Sequence, residues 1–211
     1  MVFVVQDTQG SIVARAEVAG VLVSSELARQ LAAYLELLAK WNRTINLTAL
    51  PVDPPTDGAI DRLIIEPLIA AKLVGSEDRL CIDVGSGGGS PALPMALACP
   101  DLGMILVESR VRKAAFLREA IRHLGLTTAK VENCRMEALA SRPECQGRAD
   151  LITMRAVRPD GELLSTVIPI LRPGGRLLLF GHGDIGHLDE LEVIGVIELT
   201  GGSKLIAMKA L

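Results

Sequence analysis

The chain has 211 residues, 49% of them hydrophobic and 22% charged, with a net charge of −3. That length suits one sizeable α/β domain with a small extension, and the composition excludes a disordered chain. The overall charge announces no nucleic-acid partner, which would need a local basic patch, and aromatics at 2% leave few platforms for base stacking.

No apolar run approaches the length of a membrane span, and Met1 to Val5 is too short for a signal peptide and lacks its basic start. The four cysteines, Cys81, Cys99, Cys134 and Cys145, contain no C-x-x-C pair. That fits reduced thiols in a cytoplasmic protein, not a disulfide framework or a zinc site.

In chain order, residues 1–23 alternate irregularly and predict no element. Leu27, Leu31, Tyr34, Leu35, Leu38 and Trp41 recur at helical spacing and predict a helix over 25–41, capped by Ser24 or Ser25. A loop with Pro51, Pro54 and Pro55 leads to a second predicted helix over 57–74. A break is expected at Pro67, since an interior proline costs about 3 kcal/mol or kinks the helix. Residues 1–75 thus read as an N-terminal helical extension and 76–211 as the main domain. In the latter, strands are predicted at 79–84, 103–108, 129–133, 150–154 and 175–180. Helices are predicted at 91–99, 111–124, 135–140 and 160–171, with Gly125 ending the longest. This alternation implies a mostly parallel sheet with helices on both faces. A hairpin over 191–199 and 204–209, turning at Gly201-Gly202, completes seven strands.

The most informative stretch joins the first of these strands to its helix. Leu80-Cys81-Ile82-Asp83-Val84 runs into Gly85-Ser86-Gly87-Gly88-Gly89 and then Ser90-Pro91. Strand, glycine turn and helix bring bare backbone close to a nucleotide-like ligand. Glu108, about 20 positions on at the end of the second predicted strand, can accept hydrogen bonds from two ribose hydroxyls. Together they predict an adenosine-type cofactor; the alternative is a tight turn with no ligand. Gly85-x-Gly87-x-Gly89 suits S-adenosylmethionine, and Gly85-x-Gly87-x-x-Ser90 is one substitution from the dinucleotide fingerprint. No Gly-Lys-Ser/Thr follows, which argues against a P-loop. The single tyrosine, Tyr34, has Leu38 four positions on, where short-chain dehydrogenases need lysine. A parallel sheet finished by an antiparallel hairpin is similar to that of the class I S-adenosylmethionine-dependent methyltransferases, a Rossmann-like fold.

More specific segments flank the turn in order: Trp41-Asn42-Arg43, Asn46-Leu47-Thr48, Glu108-Ser109, Phe116-Leu117-Arg118 and Arg155-Ala156. Over roughly residues 25–211 the chain resembles the G-type methyltransferases of bacterial small-subunit ribosomal RNA, formerly called glucose-inhibited division protein B. The resemblance implies methyl transfer from S-adenosylmethionine to N7 of one guanine in 16S ribosomal RNA, free or in the small ribosomal subunit. From the cysteine usage, the short apolar runs and the isolated histidines, a cytoplasmic protein with no metal and no membrane attachment is expected, and a monomer. Carried over by position, the resemblance implies cofactor contacts from Asp83, Gly85, Gly87, Gly89 and Ser90, a ribose contact from Glu108 and adenine contacts from Met136 and Glu137. It implies catalytic roles for Arg155, Asn46 and Arg62, with Arg155 also closing the cofactor site. Met136 alternatively packs in the core, and Glu137 alternatively sits in solvent at a helix start. The chain departs from the family pattern at Leu63, Glu66 and Pro67, where the family has histidine, aspartate and serine. It departs again at Met154, where the family has serine, and at Gly181, where it has lysine. The cofactor pocket therefore has more motif support than the RNA pocket.

N7 of guanine carries an in-plane lone pair and no proton, so no base is required. Alignment alone contributes roughly 7–11 kcal/mol in favourable cases. Arg110, Arg112, Lys113, Arg118 and Arg122 crowd the helix after Glu108. They read as a phosphate-contacting patch, or else as a solvated face offset by Glu108 and Glu119. Phe180 reads as core, with stacking on the target base as the alternative. Cys99 reads as core, and His123, His182 and His187 as isolated surface or loop residues that make no metal site. Two other functions stay open: a methyltransferase of this fold acting on a small molecule, and a non-catalytic S-adenosylmethionine-binding protein.

Overall fold

A computed structural model describes residues 2–181 and 189–211, with side-chain surroundings from Thr8 onward; His182 and His187 lie outside the described residues. Seven strands form one sheet in the order β3-β2-β1-β4-β5-β7-β6. Strands β1 (Leu80–Val84), β2 (Gly103–Val107), β3 (Ala129–Glu132), β4 (Ala149–Arg155) and β5 (Leu171–Gly181) run parallel. Strand β7 (Lys204–Ala210) is antiparallel to both β5 and β6 (Leu191–Glu198), as the alternation and the closing hairpin predict.

Strand periodicity sorts the side chains into two cores. Cys81, Leu106, Leu151 and Leu178 face one side. There they pack against α1 (Val2–Val18), α2 (Ser25–Asn42), α5 (Ala92–Ala98) and α6 (Val111–Leu124). Ile82, Ile105, Ile152 and Leu177 face the other side, against α7 (Met136–Ala140) and α8 (Gly161–Val167). Both faces are covered, so the central parallel strands are buried and mostly apolar, with Asp83, Thr153 and Arg155 at their carboxyl ends. The N-terminal helices share the first core with the sheet. Among the described residues no helix is long and apolar enough to cross a membrane.

Three expectations are corrected. Helix α1 occupies residues expected to form no element. It is held by Ile12 and Ala16 in the core and by Arg15, whose Nε donates to Asp61 Oδ1 at 2.7 Å. Strand β5 begins at Leu171, inside the predicted helix, because α8 stops at Val167 and Pro169 lies in a single tight turn over Ile168–Ile170.

The third correction is Pro67, where no break occurs. Helix α3 (Asp57–Ile60), a wide π-type turn (Asp61–Ile65) and α4 (Glu66–Ala71) run on as one rod. The Glu66 N–H bonds to the carbonyl of Asp61, five residues back. Pro67 has no N–H, so it serves neither Arg62 in a five-residue turn nor Leu63 in a four-residue one. Donors from elsewhere take both carbonyls: Arg155 Nη1 donates to Arg62, and Ser90 Oγ donates to Leu63 at 3.0 Å.

Candidate active site

Strands β2 and β3 lie to one side of β1, and β4 starts the other side. The carboxyl ends of β1 and β4 therefore open on the crevice where α/β sheets bind ligands. Two cavities meet there at Gly85. The larger, about 600 Å³, is lined by Glu108, Cys134, Met136, Glu137 and Val157 among others. The smaller, about 250 Å³, is bordered by Gly87, Ser90, Arg62, Lys113, Arg155 and Ala156 among others. Gly85 has φ +69°, and a Cβ there would stand 2.8 Å from Val157 Cγ2, a residue of the larger cavity's wall, so the turn admits no side chain at this position.

The Glu108 carboxylate is buried and turned toward the glycine turn. Its Oε2 accepts the Gly87 N–H at 3.0 Å and its Oε1 accepts the Arg110 N–H at 2.7 Å. An ionised carboxylate offers about four lone-pair sites, so each oxygen keeps one for a ligand hydroxyl. Asn133 Nδ2 donates to the Glu108 carbonyl at 2.7 Å and steadies this strand end. Gly89 lines neither cavity. A Cβ there would lie 2.4 Å from Leu93 Cδ1, so glycine is required for packing the turn on α5.

Helix α2 supplies a brace beneath the turn. Tyr34 Oη donates to the Gly88 carbonyl at 2.8 Å. Asn42 Oδ1 accepts the N–H groups of Leu47 at 2.9 Å and Thr48 at 3.0 Å, and its Nδ2 donates to the Thr48 carbonyl at 3.0 Å. That holds the loop whose Leu47 carbonyl faces Gly88. Trp41 meets Phe116 edge-on at 5.9 Å. Asn42 is thus a structural clip, while the exposed Asn46 sits in a neighbouring hollow with Arg110, Arg112 and Lys113, apart from Arg62 and Arg155. Lys113 borders both that hollow and the smaller cavity, a placement that its spacing on a helix could not reveal. Arg118 and Arg122 border none of these spaces, and Arg122 is tied to Glu119 at 2.7 Å.

Two charged groups lie on the α2 side of the strand ends. Asp83 lines neither cavity; its Oδ1 accepts Thr153 Oγ1 at 2.6 Å. Burial pushes its carboxyl up to about 6, against the hydrogen bonds from Thr153 and Ser86. Arg155 donates through Nη2 to Glu66 Oε2 at 2.8 Å, and its guanidinium lies 4.1 Å over the ring of Phe180, which is core as expected. Burial pulls Arg155 down to about 10, with Glu66 opposing. Asp83 Oδ2 and Arg155 Nε are the buried side-chain atoms without a partner among the described residues, one an acceptor and one a donor. Unmet buried polar atoms of this kind are exceptions in folded chains, and both lie at the strand ends beside the cavities.

Comparison with known proteins follows the same lines. The family described as rRNA small subunit methyltransferase G matches residues 27–192. The ribosomal RNA small subunit methyltransferase G of Stenotrophomonas maltophilia strain K279a is 39% identical over 198 residues, 88% of this chain and 88% of that protein. Among solved structures, a putative O-methyltransferase from Klebsiella pneumoniae superposes with a TM-score of 0.61 at 17% identity, over 86% of this chain and 89% of that one. A SAM dependent methyltransferase from Aquifex aeolicus gives 0.53 at 15% identity, over 71% and 92%. At such identities these structures speak for the fold.

Proposed function

The chain belongs to the rRNA small subunit methyltransferase G family, and from that premise we propose that it transfers the methyl group of S-adenosylmethionine to N7 of a guanine in 16S ribosomal RNA. The observation that carries this reading is the junction at Gly85, where two cavities meet over bare backbone that leaves no room for a Cβ beside Val157, with the carboxylate of Glu108 facing the same turn. These residues fit the cofactor. Glu108 has lone pairs left for ribose hydroxyls, Met136 and Glu137 flank the larger cavity for adenine, and Asp83 Oδ2 is a buried acceptor that no described residue meets. When bound, S-adenosylmethionine supplies an electrophilic methyl group on a sulfonium.

The smaller cavity, with Ser90, Arg62, Lys113 and Arg155 on its walls, is the place for the acceptor base. These residues orient and exclude water, and no residue has to take a proton from N7. Arg112 and Lys113 lie in the first turn of α6, which holds no acidic residue. Cations there oppose the helix dipole, at roughly 0.3–1 kcal/mol each, and gain from an RNA phosphate what the fold does not return. Asn46 belongs with them on the RNA side. We read the protein as a cytoplasmic monomer that uses no metal.

The test is transfer of labelled methyl to small subunits from cells lacking this gene, followed by mass mapping of the RNA. One N7-methylguanine in 16S RNA is expected. Label appearing only on small molecules would overturn the reading. Substrate binding should also weaken steeply with salt, because only a polyanion releases many counterions.

A further inference from the structure

One buried carboxylate plays no part in the reading above. Glu66 has no solvent exposure, yet it makes four polar contacts. Its Oε2 meets Arg155 Nη2 at 2.8 Å and Arg62 Nη1 at 3.4 Å, and its Oε1 accepts the hydroxyls of Thr200 and Ser203, each at 3.1 Å. A buried charge persists only when it is paired and hydrogen-bonded, and this one is both. Arg62 and Arg155 border the 250 Å³ cavity. Thr200 and Ser203 belong to the turn between β6 and β7 and border a separate hollow of about 370 Å³ that Arg62 also lines. Glu66 therefore ties the cavity wall to the terminal hairpin.

The wide turn before Glu66 acts in the same direction. It frees the Arg62 carbonyl, which Arg155 Nη1 then takes. Two of the three Arg155 nitrogens are held by consecutive parts of one helical rod, and the guanidinium is fixed above Phe180.

We propose that Glu66 is a positioning residue for methyl transfer, fixing Arg155 and Arg62 in the cavity wall and balancing the charge of Arg155. This rests on the reading that the cavity receives the acceptor base. In the reaction the N7 lone pair forms the new N–C bond, and the electrons of the broken S–C bond stay on sulfur. Positive charge thus passes from sulfur to the base, and no proton moves. An unbalanced guanidinium beside the base would oppose the arrival of that charge. Paired with Glu66, Arg155 keeps its donors, and the positive charge that it and Arg62 place on the wall is reduced by one.

The experiment compares Glu66→Gln, which keeps the shape and removes the charge, with Glu66→Asp, which keeps the charge and draws it back by one methylene. S-adenosylhomocysteine affinity is measured by calorimetry, folding by thermal melting, and methyl transfer to unmodified small subunits under single turnover. Glu66→Gln is expected to slow transfer at least tenfold with the S-adenosylhomocysteine Kd changed less than threefold, and Glu66→Asp to recover part of the rate. A wild-type rate in folded Glu66→Gln overturns the proposal, and so does a loss of affinity that matches the loss of rate. If Glu66→Gln does not fold, the double variant Thr200→Ala with Ser203→Ala takes its place. It removes the hairpin anchors alone, is expected to slow transfer with affinity unchanged, and overturns the proposal if the rate stays at the wild-type value. Wild-type protein that binds S-adenosylhomocysteine but methylates no subunit RNA marks failure of the functional reading itself.

Discussion

Replacing Glu108 by glutamine tests the site at its centre. Both carboxylate oxygens accept backbone N–H groups, from Gly87 at 3.0 Å and Arg110 at 2.7 Å. A glutamine offers one oxygen and one NH2, so in either orientation the amide faces one of these N–H groups donor to donor. Leaving that backbone donor unmet costs about 1–3 kcal/mol. At roughly 2–4 °C per kcal/mol for a domain of this size, the ligand-free protein should melt about 2–12 °C lower. Ligand affinity falls for a separate reason. Hydrogen bonds to a charged acceptor contribute about 1.5–3 kcal/mol and those to a neutral one about 0.5–1.5, so two ribose hydroxyls lose about 2–3 kcal/mol. That is roughly a 30- to 150-fold weaker Kd for S-adenosylhomocysteine. Scanning calorimetry and titration calorimetry read the two effects independently. An unchanged melting temperature with a Kd within threefold of wild type would show that this carboxylate neither braces the turn nor meets the ribose.

Asp83 gives a pH-dependent prediction. Its folded pKa of about 6 lies above the ordinary 3.8, so its contribution to stability is complete below the lower value and is lost as pH rises through about 6. Asp83→Asn should therefore stabilise the ligand-free protein by up to about 3 kcal/mol at pH 7.5 and by nothing at pH 4, as read by denaturant titration. Wild type is expected to lose S-adenosylhomocysteine affinity as pH falls through about 6, and Asp83→Asn to bind more weakly with no such pH dependence; a flat wild-type profile would remove Asp83 from the site. Gly89→Ala sets a Cβ 2.4 Å from Leu93 Cδ1 at φ +89°. Left-handed strain of about 1–2 kcal/mol and overpacking of about 1–3 kcal/mol predict a loss of about 2–5 kcal/mol in a urea titration, and a loss below 1 kcal/mol would refute the packing role.

The strand, turn and helix from Leu80 to Ala98 are legible in the chain because a short apolar run, clustered glycines and the helical stretch after them are local signals. Glu108 is legible for the same reason, since a fixed sheet geometry sets its offset from the turn. Helix α1 is not: it is secured by Arg15 on Asp61, 46 residues away, and its own pattern carries no mark of that partner. Local propensity also errs at Pro67, because it counts the missing N–H and has no view of Ser90 and Arg155, which take the carbonyls that N–H would have served. Asn42 and Asn46 stand in one motif with one composition, yet one clips a loop and the other faces a basic hollow.

By itself the sequence determined the order of strands and helices from residue 25 onward, the bare turn at 85–90 and the acid that answers it, since each depends on residues near one another along the chain. Only the tertiary structure decided what surrounds the acceptor cavity: that Lys113 reaches it, and that Arg155 is held by Glu66, which is in turn held by Ser203, 137 residues further on. Pairing of buried charges depends on distance in space and leaves no periodicity behind, so those contacts exist only once the sheet has brought its strand ends together.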